Sequence, residues 1–153
     1  EVVRAADPDP DPDPDPDPDP EPGDADRALV PLVPARLLET REGVNERTVD
    51  GVFEGVGRVG AGEVVVLDVT DRGGVPGDAE AVMLNVTAVL PDAAGYVTVY
   101  PCGAERPLAS NLNYGPGDVI PNAVLAKIGT GGTVCLYTHA ASDLIVDVNG
   151  YVP

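Results

Sequence analysis

The single histidine, His139, lies in Thr138-His139-Ala140-Ala141-Ser142-Asp143, where a base, a hydroxyl and a carboxylate fall close together in sequence. A hydrolase triad needs that imidazole oriented by the carboxylate and bonded to an activated hydroxyl. The stretch reads instead as a polar turn between two strands, where Ser and Asp are common, and no nucleophile-elbow sequence is present. A domain without catalytic residues is expected. One histidine and two cysteines also fall short of the three or four ligands of a zinc site. Calcium accepts scattered carboxylates and carbonyls, so Asp68, Asp71 and Asp78 are the best-placed metal candidates, with Asp143 and Asp147 next. Neither group follows a loop consensus, and solvated turn carboxylates explain both, so no cofactor is required.

Cys102 and Cys135 are the two cysteines of the chain. An even count in an acidic, β-rich chain points to a disulfide formed outside the cell. A second chemistry open to these residues is glycan recognition, which combines an aromatic platform with amide hydrogen bonds. Tyr96, Tyr100 and Tyr114 with Asn111 and Asn113 could supply it, and Tyr137 adds a further ring, although Trp, the best stacking residue, is absent. Tyr96 and Tyr100 share a strand face. Asn111 and Asn113 would otherwise bond to turn backbone. Arg36 and Arg41 are expected to pair with body carboxylates, and Asn85-Val86-Thr87 matches a glycosylation acceptor but falls within a strand pattern.

The elements that must position these residues are strands. The body is rich in Val, Ala, Gly and Thr, punctuated by Gly and Pro, which suits short strands joined by tight turns. Leu29–Leu38, broken by Pro31 and Pro34, reads as an edge segment. Val64–Thr70 and Ala81–Leu90 are the clearest strands; in the second, Val82, Leu84, Val86 and Ala88 fall on one face. Pro91–Gly95 reads as the turn of a hairpin that returns through Tyr96–Tyr100. Gly129–Gly132 reads as the turn of another, between Ala123–Ile128 and Thr133–Thr138. Asp143–Tyr151 closes the domain with Leu144, Val146 and Val148 inward. Val66–Thr70, Met83–Thr87 and Ile145–Asn149 share a local rhythm, as similarly placed sandwich strands do. The whole predicts an all-β, antiparallel sandwich over residues 28–153, immunoglobulin-like or jelly roll.

Ahead of it stand a short segment, Glu1-Val2-Val3-Arg4-Ala5-Ala6, and an acidic spacer over residues 7–27. Within the spacer, Asp7–Pro22 is a strict repeat of seven Asp-Pro units and one Glu-Pro. Proline fixes its own φ and pushes the preceding residue out of the helical region. The run is therefore biased to polyproline II, and sixteen residues reach about 50 Å. No leader peptide opens the sequence, as expected of a mature chain. The net charge of −17 repels nucleic acid and anionic membranes, and no apolar run approaches the roughly 20 residues of a membrane helix.

Several segments, taken in order, resemble a repeat domain of actinobacterial secreted and cell-surface proteins. The domain opens with a Pro-x-Arg-Leu-Leu-Asp-Thr-Arg-like segment and closes with a Val-Asp-Val-x-Gly-Tyr-like strand. Here the opening is Pro34-Ala35-Arg36-Leu37-Leu38-Glu39-Thr40-Arg41, with Glu39 in place of the usual Asp, and the close is Val146-Asp147-Val148-Asn149-Gly150-Tyr151. Leu84–Thr87, Ala94–Gly103, Ser110–Asn113 and Gly132–Tyr137 complete the match, which leaves the Asp-Pro run uncovered. The resemblance implies an extracellular accessory or tandem module and carries over no catalytic residue.

Two readings follow. The first is a non-catalytic structural subunit of a surface or filament assembly, its copies joined when Glu1–Ala6 docks as a strand on a neighbour. The second is a carbohydrate-binding module for cell-wall or other extracellular glycan.

Overall fold

The computed structural model describes residues 28–153; the expected donor segment 1–6 and spacer 7–27 lie outside the described residues. Eight strands form: β1 (Val30–Glu39), β2 (Val64–Asp68), β3 (Ala81–Val89), β4 (Gly95–Pro101), β5 (Leu112–Tyr114), β6 (Val119–Lys127), β7 (Thr133–Thr138) and β8 (Asp143–Val152). They make two antiparallel four-stranded sheets, ordered β1-β8-β3-β6 and β2-β7-β4-β5. Along the chain only β4 and β5 are successive strands of one sheet; every other connection crosses the sandwich. That interleaving is the jelly roll, which settles the choice left open with an immunoglobulin-like arrangement.

Two expected hairpins are corrected by this topology. β3 pairs with β6 and β8, and β4 with β5 and β7, so Pro91–Gly95 joins strands of opposite sheets. Likewise β6 and β7 belong to different sheets, and Gly129–Gly132 carries the chain between them through a 3-10 turn at Thr130–Gly132. Turn residues report a reversal of direction; they do not report which strand accepts the hydrogen bonds. Gly129 is needed for a different reason, because a Cβ there would overlap the backbone of Cys102.

The core follows the period-two pattern of the strands. Val82, Leu84, Val86 and Ala88 of β3 and Leu144, Val146 and Val148 of β8 are fully buried. From the opposite sheet they meet Leu67, Val97, Val134 and Leu136. The shared rhythm places two similar strands side by side, with Asn85 opposite Asp147, while the third is the edge strand β2. In β8 the register jumps from Met83↔Gly150 to Leu84↔Val148, making Asn149 an extra, bulged residue. Gly150 beside it lets β1 come close, since a Cβ would stand 2.8 Å from the Val30 carbonyl.

Between β1 and β2 the chain runs irregularly from 40 to 63 and is held by arginines. Arg72, 8% exposed, donates to both Asp50 oxygens (2.6 and 2.8 Å) and to the carbonyls of Leu37, Val52 and Asp68. It therefore ties edge strand β1 to edge strand β2, with its guanidinium 5.2 Å from the Phe53 ring. Backbone bonds Val49→Arg36, Phe53←Glu39 and Gly55→Glu39 lay residues 49–55 along the C-terminal end of β1 and cover its edge there.

Candidate functional site

The outer face of the β2–β7–β4–β5 sheet collects Tyr96, Tyr100, Tyr137 and His139. Cys102 and Cys135 are joined in a disulfide, as expected. It anchors the 102–111 connection, which leaves β4, back onto β7. The connection then folds over the outer face: Arg106 lies 3.7 Å above the Tyr137 ring, and the Thr98 hydroxyl donates to the Ala109 carbonyl at 2.5 Å. Tyr96 from β4 stacks on His139, with centroids 5.2 Å apart and planes at 17°, and tilts against Tyr137 at 5.9 Å. Tyr96, Leu108, Ala109, Ser110 and Asn113 line an open groove of about 320 Å³. That volume is at the small end for ligand sites. None of its lining side chains is charged. A half-buried tyrosine, a serine hydroxyl and an exposed Asn113 amide offer donors and acceptors beside the apolar Leu108, which suits a neutral polar ligand.

The structure divides the five residues expected to form a glycan platform. Tyr96 and Asn113 meet in the groove, as opposed residues of β4 and β5. Tyr100 is buried against the disulfide and does not reach the groove. Tyr114 points into the core, and its hydroxyl bonds to the Thr138 hydroxyl at 2.8 Å and to the Ala140 backbone. Asn111 is structural: its side-chain oxygen accepts from the Val99 amide at 2.8 Å, and its carbonyl accepts from the Asn122 amide. Alternation explains the split, since Asn113 faces out while Leu112 and Tyr114 on either side face in. Sequence reasoning missed Leu108, Ser110 and Arg106 because the connection carrying them lacks strand periodicity. It also named Tyr137 without anticipating the cation above its ring.

The other candidate groups are occupied elsewhere. Ser142 is fully buried with its hydroxyl at the carbonyls of Val89 and Asp143. The Asp143 carboxylate accepts from Thr40 and Arg58, while His139 lies on Tyr96. These three residues do not form a triad. Asp68, Asp71 and Asp78 do not converge either; among the described residues no group of three or more His, Cys, Asp or Glu could hold a metal ion. Asp147 pairs with Arg36 at 2.9 Å. Arg36 and Arg41 both bind the fully buried Glu39, which Arg41 grips through two hydrogen bonds of 2.8 Å. Burial pushes the Glu39 carboxyl up, but the two guanidiniums outweigh it and hold it below the usual range. Arg72 holds the Asp50 carboxyl down as well, at about 2. Asn85 is half-buried on the central strand β3.

Comparisons with family models, curated proteins and solved structures found no match to the chain.

Proposed function

We propose that the chain is a non-catalytic structural domain of the cell exterior, built to assemble with copies of itself through its N-terminal segment. The observation that carries this reading is how the reactive side chains are placed. Ser142, Asp143, Glu39, Arg36, Arg58 and Arg72 are tied into contacts that hold loops to strands, which supports a scaffold. The disulfide suits an oxidising compartment, and the likeness of the opening and closing segments to the actinobacterial surface-repeat domain points the same way. Light scattering on the 153-residue chain should report species larger than a monomer, and a chain beginning at Asp24 should remain monomeric. Packing Asp-Pro arms together is opposed by charge, so added salt or calcium should strengthen assembly. Equal assembly by the shortened chain would defeat the reading.

The groove favours a second reading, carbohydrate binding by an accessory module. The supporting observation is that Tyr96, Ser110 and Asn113 converge there without a charged neighbour in the lining. Titration with neutral cell-wall oligosaccharides, followed by calorimetry, should then show binding that Tyr96→Ala removes.

A further inference from the structure

The four sheet edges differ in how they are defended. A strand edge with unpaired N–H and C=O groups is a template for another chain unless proline, lysine, shortness or a covering loop blocks it. Residues 49–55 bond to β1 at Arg36 and Glu39, and Pro31 and Pro34 interrupt the rest of that strand. β5 is three residues long. On β6 the bonds Leu90→Asp118 and Ile128→Glu80 fix which residues face β3 and leave Val119, Pro121, Ala123, Leu125 and Lys127 with their backbone outward. Pro121 therefore interrupts the donors in mid-strand, and Lys127 charges its end.

β2 has neither defence. Its pairing with β7 is fixed at both ends, by Thr138→Glu63 and by Val69→Gly132. The bonded pairs are thus Val65↔Leu136 and Leu67↔Val134, and Val64, Val66 and Asp68 turn their backbone groups away from β7. Of these groups, the Asp68 carbonyl is taken by Arg72. Val64 and Val66 are 42% and 55% exposed, so apolar side chains flank the open edge.

We propose that the β2 edge, Val64–Asp68, receives Glu1–Ala6 of a second copy as an added strand; this rests on the assembly reading above. The occupant suits the edge on three counts. Val2 and Val3 favour extended structure. The intervening repeat, sixteen residues or about 50 Å when extended, exceeds the roughly 33 Å of a ten-residue strand such as β1, so it can reach a neighbouring domain. Charge also matches: in a parallel register that sets Val2 beside Val66, Arg4 falls beside the exposed Asp68. Backbone bonds supply the affinity and the valines the register. The contact is head-to-tail, so it propagates.

The test uses full-length chains and light scattering. Val66→Pro removes an outward N–H and no bond to β7, so the fold should survive, which circular dichroism checks; Val66→Lys is the second acceptor variant. Val2→Asp/Val3→Asp disables the donor. Wild type should give a mass that rises with concentration, and each variant alone should stay at the monomer mass of 15.7 kDa. A mixture of Val66→Pro with Val2→Asp/Val3→Asp, one intact donor and one intact acceptor, should stop at a one-to-one dimer. If the folded acceptor variants assemble as wild type does, β2 is not the acceptor although assembly stands. If wild type is monomeric at every concentration, both the acceptor and the assembly reading fail.

Discussion

Along residues 40–58, the strand β1 beside them and the connection after β2, Arg36, Arg41, Arg47, Arg58 and Arg72 each meet a carboxylate. On the outer face of the β2–β7–β4–β5 sheet the pattern is different: valines, tyrosines and a disulfide, with Arg106 resting on a ring. The first region is long and irregular and holds few core residues, so ion pairs and hydrogen bonds to carbonyls fix its path. The second is a regular sheet whose backbone is already paired, so its outward side chains are available for contact wherever the 102–111 connection leaves them uncovered. Loss of an arginine should therefore disturb the fold, whereas loss of an outward side chain should disturb binding or assembly.

The largest expected effect is Arg72→Ala. It strips Asp50 of its partner and three carbonyls of a donor on a side chain that is 8% exposed. Asp50 is open to solvent and adds little, but three carbonyls left without a donor cost about 1–1.5 kcal/mol each, so a loss of about 4 kcal/mol is expected in denaturant unfolding. A loss below about 1 kcal/mol would mean that the 40–58 segment is held by something other than this clamp.

Next comes the disulfide, which closes a 33-residue separation. Replacing both cysteines by serine should cost about 3–4 kcal/mol in the chain-entropy description. It should also free the 102–111 connection, so Arg106 leaves the Tyr137 ring and the groove opens. Unfolding measured with and without reductant gives the energy. Tyrosine fluorescence gives the local change, and an unaltered signal would argue that Thr98 and Asn111 hold the connection unaided.

What the sequence made legible differs between the two regions. Period-two aliphatics located β3 and β8 and their inward residues correctly, because burial on one face imposes the pattern directly. The pairing was not legible. Sequential strands often neighbour each other, which favours hairpins at Pro91–Gly95 and Gly129–Gly132, and the jelly roll sends both across the sandwich. Tyr100 and Tyr114 were misplaced for a related reason: three-residue β5 is too short to show which face is inward, and Tyr100 is covered by the disulfide, which ties its strand to one distant in sequence. The Arg36 and Arg41 ion pairs were legible because so many acids surround so few bases. Asp50 as a partner of Arg72 was not, being twenty-two residues away in irregular chain.

The two asparagines of Ser110-Asn111-Leu112-Asn113 sharpen the contrast within one motif. Asn111→Ala leaves the Val99 amide without its acceptor and should cost about 1–2 kcal/mol. Asn113→Ala removes an exposed groove side chain and should stay within about 0.5 kcal/mol. Thermal unfolding of the pair decides it. Equal losses would mean that Asn113 also supports the sheet.

The last expected effect is a dependence on acid confined to the clamped region. Hydrogen bonds from Arg72 lower the Asp50 carboxyl from 3.8 to about 2. A carboxyl depressed on folding adds stability that is complete above its unfolded pKa and lost as pH falls through the folded one. The Asp50 contribution should thus be intact above about pH 4 and gone near pH 2. Its size is on the order of 1 kcal/mol, because the Asp50 side chain is 33% exposed and solvent screens the pair. Glu39 shifts in the same direction and adds to the loss. Other carboxylates titrate in this range too, so the informative quantity is the difference between wild type and Asp50→Asn. Wild type should lose more stability than the variant between pH 4 and 2, and amide exchange should show residues 48–57 opening before β4 and β7. Parallel acid curves would place the sensitivity outside the clamp, and early exchange in β7 would reverse the ranking of the two regions.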